Sequence, residues 1–462
     1  MIMSNGLKFC FKKNYKTIIF QLVLLTCCFI ISPAAATEDD ALVIVTSFPE
    51  SLFNPFRIAF SKKYPNTEIS IFNKKTTAAL SAITAARGKG FDIFWASSPD
   101  AFEVLKNELL LAPLTVRSIN KTDTLNGHPL SDPDGFYTGF AISGYGIMWN
   151  HKYLKQYQLD PPLSWKALTH PKYQGHLGMT SPSHSGTTHL IIEMILQSQG
   201  WEKGWAILLE MAGNLATITA RSYGVPDGII AQKFGVGLVI DFFALSAKAS
   251  GQPVSFAYDP DSTLLPGSIA ILKNAGHPIN AMRFVDFVLS DAGQHTLLTP
   301  SISRLPLTRS MYKNAPSDYP NPYKDSLVNK KNRFDIQLSR QRYQLVNILF
   351  DQLITFHLKN TKRAWKAIHS ARQSLILQNQ NSNKHFPNVL DNIVQSITSV
   401  PIINSQSVDL EFASLFSQHK PGLPISPIQS EIETRWSRER RSQLLNAIQT
   451  AKQILVSLDT QN

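Results

Sequence analysis

The stretch ALVIVTSFPESLFNPFRIAFSKKYP (Ala41–Pro65) decides the fold class. It begins as a β-branched apolar run that ends in Thr-Ser, and it continues with apolar residues at helical spacing up to Pro65. The same order recurs at once, with a strand pattern at 67–73, an Ala-rich helix pattern at 76–90 and a strand pattern at 91–99. Strands and helices that alternate in this way predict an α/β fold on a parallel sheet.

Hydroxyl-bearing residues stand at the ends of two of these predicted strands. Ser47 closes the first strand, and Ser97 and Ser98 close the third. Each can be the N-cap of the helix that follows, which is the ordinary role of a Ser at that place. Ligands of open parallel sheets, however, gather at the carboxyl ends of the strands. Because the hydroxyls recur at the same topological position, we expect Ser47, Ser97 and Ser98 to contact a ligand.

The first 36 residues have the order of a secretory signal peptide. Four lysines precede the uncharged apolar run Thr17–Ser32, and Pro33–Ala36 supplies small residues for cleavage. The run is short for a membrane span, which favours a cleaved signal over an anchor. All three cysteines of the chain lie in this segment. We therefore expect a periplasmic protein whose mature chain contains no disulfide bond.

The composition is that of a large, basic globular protein. The chain has 462 residues, of which 43% are hydrophobic, and a net charge of +12. That length allows two or three domains with substantial cores. A basic exported protein suits an anionic ligand or a membrane surface. The sequence contains no array of basic and aromatic residues of the kind that binds nucleic acid, so we expect no nucleic-acid partner.

Several motifs follow one another in an order that belongs to a known class of proteins. The segment GSIAILKNAGHPINAMRFVDFVLSDAGQ (Gly267–Gln294) carries the most specific of them. The others are GYGIMWN (144–150), YQGHLGMTSPSHSGT (173–187) and GWEKGWAILLEMAGN (200–214). Together they resemble the ABC-type extracellular solute-binding proteins of the type II periplasmic binding class. The resemblance runs from about Ala41 to at least His369.

The resemblance implies two hinged α/β lobes that are joined by crossing strands and hold a ligand in the cleft between them, with a helical extension at the C-terminus. The expected boundaries are 37–143 and 243–300 for lobe one, 144–242 for lobe two, 301–333 for a linker and 334–462 for the extension. The first crossing is expected near Ser143-Gly144, and the second between Asp241 and Phe256.

A corner rich in hydroxyls is predicted at the start of the helix that follows Met179. Free N–H groups and the positive end of the helix dipole favour an anion there, hydroxyls donate to phosphate or carboxylate oxygens, and a glycine allows close approach. The candidate ligand residues of this corner are Ser181, Ser183, His184, Ser185 and Thr187.

Three further candidates follow other predicted strands. Arg221 can grip a phosphate or carboxylate with two parallel hydrogen bonds, or it can form an ordinary surface ion pair. Asp241 can bind a ligand hydroxyl or amine, or it can anchor the hinge. Ser143 stands at the expected first crossing and is included as a ligand residue.

The sequence favours neither metal chemistry nor catalysis. Many proteins of the class that it resembles carry ferric iron on a pair of neighbouring tyrosines, and this chain has isolated Tyr223 and Tyr258 but no Tyr-Tyr pair. SHSGT lacks the first glycine of a nucleophile elbow, and no P-loop, zinc motif or dinucleotide-binding motif is present. We predict a binding protein that is not an enzyme and that needs no metal and no cofactor.

The predicted extension contains two long helical segments, Phe334–Leu377 and Ser430–Leu458, the second opening with a Ser-x-x-Glu capping box. Early in the second segment are Arg435, Arg438, Arg440 and Arg441. These arginines are expected either to be solvated while the helices pack on the lobes, or to form a docking surface for a membrane partner. A simple uptake receptor needs no such extension, which favours signalling.

Two functional hypotheses remain open at this point, with a third more distant. In the first, the protein detects a small phosphorylated carboxylate, such as a phosphoglycerate, and reports it to a membrane sensor kinase that regulates transport. In the second, it is the receptor of an ABC permease for a phosphonate, a polyamine-like ligand or ferric iron. In the third, it is an interaction module whose cleft binds no ligand.

Overall fold

The computed structural model describes residues 40–115, 124–125, 127–324, 327–328, 333–377, 385–417 and 424–460. The predicted signal peptide, 1–36, lies outside the described residues. The strands in chain order are β1 (Ala41–Thr46), β2 (Glu68–Asn73), β3 (Ile93–Ala96), β4 (Thr124–Leu125), β5 (His128–Pro129), β6 (Thr138–Ser143), β7 (Tyr145–Asn150), β8 (Leu177–Thr180), β9 (Leu215–Thr219), β10 (Val236–Ile240), β11 (Val254–Tyr258), β12 (Leu265–Ile271) and β13 (Leu305–Pro306). The α-helices are α1 (Glu50–Lys63), α2 (Thr76–Ala85), α3 (Pro99–Asn107), α4 (His151–Gln156), α5 (Gly186–Gln199), α6 (Trp201–Met211), α7 (Gly224–Ile230), α8 (Asp241–Ala249), α9 (Pro278–Leu289), α10 (Asp291–Thr296), α11 (Ile336–Gln341), α12 (Tyr343–Phe350), α13 (Leu358–Leu377), α14 (His385–Thr398), α15 (Asn404–Ser407), α16 (Leu410–Ser417) and α17 (Pro427–Asp459).

The first lobe is built on a sheet of six described strands in the order β13-β6-β12-β3-β1-β2. β1 is parallel to β2 and to β3, as predicted, whereas β12 is antiparallel to β3 and to β6. Ile44 of β1 and Trp95 of β3 are fully buried, and Phe56 of α1 packs edge-on against the Trp95 ring at 5.2 Å. The parallel pairing brings the carboxyl ends of β1 and β3 to the same edge of the sheet.

The first crossing between the lobes lies at Ser143-Gly144, as we expected. β6 leads through Gly144 directly into β7, which belongs to a second sheet of five described strands in the order β11-β7-β10-β8-β9. A Cβ atom on Gly144 would lie 2.4 Å from Cε1 of Tyr258. Only a glycine therefore fits at the junction of the two lobes.

The second crossing lies later in the chain than the sequence indicated. We expected it between Asp241 and Phe256, but β11 pairs with β7, with Phe256 opposite Met148, and the chain returns to the first sheet through 259–264. Residues 243–258 therefore belong with the second sheet. The VSFAY pattern is that of any half-buried strand, and it does not say which sheet the strand joins. The other lobe boundaries stay predictions.

The C-terminal extension is helical, as predicted, and packs on both lobes. Its α11 lies against α3 of the first lobe, and α13 and α14 lie against the second lobe. The Trp365 indole of α13 donates to the Leu209 carbonyl at 3.1 Å, and the Trp201 indole of α6 donates to the Ile402 carbonyl at 2.9 Å. None of the described helices is both long and apolar enough to cross a membrane.

The last helix, α17, differs from the sequence prediction at two places. Ser426 is its N-cap, with the side-chain oxygen accepting from a backbone N–H of the first turn, so the predicted capping box at Ser430 is wrong. Arg440 is buried and donates to the Leu353 carbonyl at 3.0 Å, so it is not solvated. The exposed arginines are Arg435, Arg438 and Arg441.

Candidate functional site

A cleft lies between the lobes, where the carboxyl ends of β1 and β3 face the start of α5. A water-sized sphere can enter about 20 Å³ of it, and about 390 Å³ is free of atoms when the gaps between side chains and the open mouth are counted. Its lining residues are Ser47, Phe48, Pro49, Lys75, Thr76, Ser97, Ser98, His184, Ser185, Gly186, Thr187, Arg221, Ser222, Phe242 and Phe243. We call this space the cleft.

Many of the candidate ligand residues that we predicted lie together in the cleft. They are Ser47, Ser97, Ser98, His184, Ser185, Thr187 and Arg221. Parallel strands bring the hydroxyls of the first lobe to one edge, and the turn before α5 brings those of the second lobe opposite them. Ser185 also has the ordinary capping role, because its Oγ accepts from the Thr188 N–H at 3.1 Å. Contact of these residues with a ligand stays a prediction.

The cleft is positively charged. Lys75 reaches it from the first lobe and Arg221 from the second, and the described residues that line it include no Asp or Glu. Burial, with the nearby charge of Lys75, holds the pKa of His184 below its ordinary value. The His184 imidazole is therefore neutral at neutral pH, and its buried Nδ1 has no hydrogen-bond partner within the described part of the chain.

Several hydrogen bonds join the two lobes beside the cleft. The Thr77 hydroxyl donates to the Ser183 carbonyl at 2.5 Å, and the Gly186 N–H at the start of α5 donates to Thr76 Oγ1 at 3.3 Å. The Arg221 guanidinium crosses the cleft and donates to the side-chain oxygen of Asn73. The Gly186 N–H and the Arg221 guanidinium, which we expected to hold an anion, therefore donate to neutral acceptors of the opposite lobe, which a ligand could replace.

Two of the predicted corner residues, Ser181 and Ser183, do not line the cleft. Ser181 is fully buried and donates to the carboxylate of Asp351 at 2.7 Å, and the Ser181 and Ser183 hydroxyls are 2.7 Å apart. Asp351 belongs to the C-terminal extension. Contact of these two residues with a ligand is not favoured by the geometry, because neither lines the cleft and the Asp351 carboxylate, which accepts from Ser181, would repel an anion there.

Asp241 and Ser143 also lie outside the cleft lining. Asp241 is fully buried, and it accepts from the Gly144 N–H at 2.7 Å, from the Phe242 N–H at 2.8 Å and from the Tyr258 hydroxyl at 3.1 Å. It thus holds the first crossing, which is the second of the two roles that we predicted. Burial raises the pKa of Asp241 to about 6, against the hydrogen bonds that favour its charged form. Ser143 is buried within β6.

Sequence reasoning missed part of the cleft. Lys75 and Thr76 stand where β2 gives way to α2, at a third strand-to-helix junction that carried the same signal as the first two. Phe48, Phe242 and Phe243 form the apolar wall. No sequence signal separates these aromatic residues from ordinary core residues, because their burial is explained equally well by packing.

A second polar site joins the lobes and the extension behind the cleft. We call it the polar seam, and its residues are Asp100, His189, Glu193, Ser339, Arg342 and Asn347. Ser339 of α11 donates to Asp100 at 2.7 Å, and Asp100 lies 3.4 Å from Nε2 of His189. The other ring nitrogen of His189 lies 2.8 Å from Oδ1 of Asn347 in α12. The first lobe, the second lobe and the extension therefore meet in one buried network.

The strongest pair of the polar seam joins the second lobe to the extension. Nε and Nη2 of Arg342 donate to the two carboxylate oxygens of Glu193 at 2.9 and 2.8 Å, and both side chains are buried. Burial opposes the charge of Glu193, but the Arg342 charge and hydrogen bonds outweigh it and hold the pKa of Glu193 below its usual value. Burial raises the pKa of Asp100.

Known proteins resemble this chain over most of its length. The phosphoglycerate transport regulatory protein PgtC of Salmonella typhimurium is 30% identical over 385 residues, which are 81% of this chain and 89% of that protein. Within this chain, the stretch TSPSHSGTTHLIIEMILQSQGWEKGWAILLEMAGN (180–214) resembles that regulatory protein.

Solved structures share the fold. The periplasmic binding protein AfuA of Actinobacillus pleuropneumoniae, solved with fructose-6-phosphate bound, has a TM-score of 0.59 at 20% identity and covers 67% of this chain and 98% of its own. Iron-bound HitA of Pseudomonas aeruginosa has a TM-score of 0.51 at 19% identity and covers 58% of this chain and 87% of its own. At these identities the likeness shows the fold alone.

The family follows from sequence and fold together. Residues 89–325 match the family described as bacterial extracellular solute-binding protein. The predicted α/β fold of two hinged lobes with a helical extension is confirmed, and so is the prediction that the chain is not an enzyme. This chain belongs to the bacterial extracellular solute-binding proteins.

Proposed function

We propose that the protein captures a small phosphorylated or carboxylated anion in the cleft. One observation carries this proposal: the described cleft lining combines hydroxyls from both lobes with Lys75 and Arg221 and contains no acidic residue. Hydroxyls and cations are the groups that pair with phosphate and carboxylate oxygens. An anion between Lys75 and Arg221 would also hold the two lobes together, which is how ligands close hinged proteins.

The relatives support a phosphate ester as the ligand. One is named for phosphoglycerate transport, and another was solved with fructose-6-phosphate bound. HitA was solved with iron bound, but ferric iron prefers carboxylate and phenolate oxygens. The described cleft lining contains no Asp, Glu or Tyr, which favours an organic anion over iron.

We further propose that the protein is exported to the periplasm by residues 1–36 and reports its ligand to a membrane sensor kinase that regulates transport. The polar seam supports signalling, because it ties α11 and α12 to both lobes beside the cleft. Any movement of one lobe against the other must therefore act on the extension. The alternative partner is an ABC permease, which would need only the lobes.

A thermal-shift titration of the mature chain, residues 37–462, tests the ligand class. The probes are 3-phosphoglycerate, phosphoenolpyruvate, a phosphonate and ferric citrate. A ligand at 100 times its dissociation constant stabilises the native state by about 2.7 kcal/mol, so a phosphorylated carboxylate should raise Tm by several degrees. Arg221→Ala and Lys75→Ala should remove the shift, and Lys89→Ala, an exposed lysine outside the cleft, should leave it intact. Citrate without iron is the control for ferric citrate, and a shift that requires ferric iron, with none from citrate or from the phosphorylated probes, would refute capture of an anion.

Hydrogen exchange tests the coupling of the extension to the cleft. In the full mature chain, saturating 3-phosphoglycerate should slow amide exchange in α11 and α12 as well as around the cleft, because the seam transmits closure. The exposed end of α17, which lies far along the chain from the seam, is the internal control. If exchange slows only around the cleft, closure of the lobes does not change the extension, and the signalling proposal fails.

A further inference from the structure

An unusual cation lies directly beneath the cleft. The Arg304 side chain is fully buried, and its guanidinium lies 4.9 Å from the ring centres of Phe48, Phe140 and Phe242. Nη2 donates to Oγ of Ser97 at 3.3 Å. Nε and Nη1 have no hydrogen-bond partner within the described part of the chain. Phe48, Phe242 and Ser97 line the cleft, so only one layer of side chains separates Arg304 from a ligand.

This arrangement costs stability in the absence of a ligand. A buried charge is tolerated when it is paired and hydrogen-bonded, and here no described carboxylate lies within ion-pair distance of Arg304. Burial lowers the pKa of Arg304 to about 10, although the more distant charge of Asp241 opposes this, so the guanidinium stays charged at neutral pH. Cation–π contact with the three rings offsets part of that cost, but Nε and Nη1 lack hydrogen-bond partners within the described part of the chain, which an apolar side chain would avoid. Core packing alone therefore does not explain why an arginine occupies position 304.

Arg304 takes up one of the two acceptor positions of the Ser97 oxygen and turns the hydroxyl proton away from the guanidinium, towards the cleft. A hydroxyl has one proton to donate, and its oxygen can accept. Because the Ser97 oxygen accepts from Arg304, its proton remains available for an acceptor in the cleft. The neighbouring Ser98 is set the opposite way: its hydroxyl donates to Oδ1 of Asp100, so its oxygen remains available to accept. The cleft floor thus presents one donor and one acceptor on adjacent residues.

We propose that this pair selects a ligand in which an anionic group stands next to a hydroxyl group, and that Arg304 is the positioning residue that makes Ser97 the donor. The anion accepts from Ser97 above the Arg304 charge, and the ligand hydroxyl donates to Ser98. The inference rests on the proposed capture of an anion in the cleft and narrows it to hydroxylated phosphate esters and hydroxy acids.

Calorimetric titration of two matched probes tests the selection. The first probe is 3-phosphoglycerate, and the second is 3-phosphooxypropanoate, which lacks only the hydroxyl at carbon 2. The wild-type chain should bind 3-phosphoglycerate at least about 10-fold more tightly, because the second probe leaves the Ser98 oxygen unpaired. Ser98→Ala should bring the ratio close to one. Thr187→Ala, which changes another cleft hydroxyl, should keep the ratio.

A charge-removing variant tests the role of Arg304. Arg304→Met should weaken both probes by about 10-fold or more and keep their ratio, while Tm stays equal or rises because an unpaired buried charge has gone. If Tm and affinity fall together, Arg304 is a structural core residue and the positioning role is refuted.

The remaining outcomes separate this inference from the proposed function. If both probes bind the wild-type chain equally, the hydroxyl selection is wrong, while capture of an anion stands. If neither probe nor any other anion binds, both proposals fail together.

Discussion

The cleft and the polar seam lie on the two sides of the start of α3, and their polar groups are used in opposite ways. Ser98 faces the cleft, and Asp100, two residues later, belongs to the seam. In the seam, Arg342 and Glu193 pair with each other and His189 is bonded through both ring nitrogens. In the cleft, His184 Nδ1 has no hydrogen-bond partner within the described part of the chain, and Lys75 lines the space that a ligand would enter. Polar groups that satisfy one another hold the shape of the protein, and those that do not are available to a ligand.

The largest expected effect comes from breaking the seam at Arg342. Arg342→Met leaves the Glu193 carboxylate buried without its partner, which should lower the free energy of unfolding by about 3–5 kcal/mol. Urea unfolding followed by circular dichroism measures the change. Arg340→Met, which removes a guanidinium that bonds to Gln337 at the surface, is the matched control and should cost less than about 1 kcal/mol. Equal effects of the two variants would remove the distinction between the seam and the surface.

A smaller effect is expected in the pH dependence of stability. Because the folded-state pKa of Glu193 lies below its unfolded value, its contribution is complete above the unfolded value of about 4.5 and is lost as the pH falls through the folded pKa. The Glu193→Gln chain should therefore lose less stability than the wild-type chain between pH 5 and pH 3. Melting temperatures across that range measure the difference, and parallel curves would contradict the assignment.

The next smaller effect on stability is expected for Ser181→Ala. This variant tests whether Ser181 contacts the extension or the ligand. Ser181→Ala removes a buried hydrogen bond to the Asp351 carboxylate and should cost about 1.5–3 kcal/mol. Affinity for 3-phosphoglycerate should stay within about 2-fold, because Ser181 faces the extension. A large loss of affinity with unchanged stability would return Ser181 to the ligand site.

The smallest change in stability is expected for Ser47→Ala in the cleft. The residue is half-exposed at the cleft mouth, so the free energy of unfolding should change by less than about 0.5 kcal/mol. Affinity for 3-phosphoglycerate should nevertheless fall by about 3- to 10-fold, which corresponds to one hydrogen bond. Calorimetric titration at constant salt measures it. If stability falls and affinity does not, Ser47 acts only as a structural residue.

Local patterns predicted the parts of the site that depend on strand ends. Ser47, Ser97 and Ser98 reach the cleft because β1 and β3 are parallel neighbours, and that arrangement follows from the alternation of strands and helices. The crossing at Gly144 was also predicted from a local signal, because the strand pattern is interrupted at a single glycine. The start of α5 was placed correctly for the same reason, as its small hydroxyl residues precede an apolar helical run.

Long-range contacts explain what the sequence did not reveal. Ser181 has the same residue type and a similar sequence setting to Ser185, and its contact with Asp351, far along the chain, holds it away from the cleft. Nothing in the sequence indicates that Arg440 is buried, because its hydrogen-bond acceptor, the Leu353 carbonyl, lies far away along the chain. The sheet that β11 joins is likewise a matter of tertiary pairing, which intrinsic preference does not encode.

The unequal lengths of the two interlobe connections have a mechanical consequence. The connection at Gly144 is a single residue that Asp241 grips through its backbone N–H, whereas the return connection has the length of residues 259–264. A pair of bodies that share one short joint and one long joint turns about the short one. Ligand capture should therefore rotate the lobes about a pivot at Gly144, while the longer connection, residues 259–264, changes conformation to follow the movement.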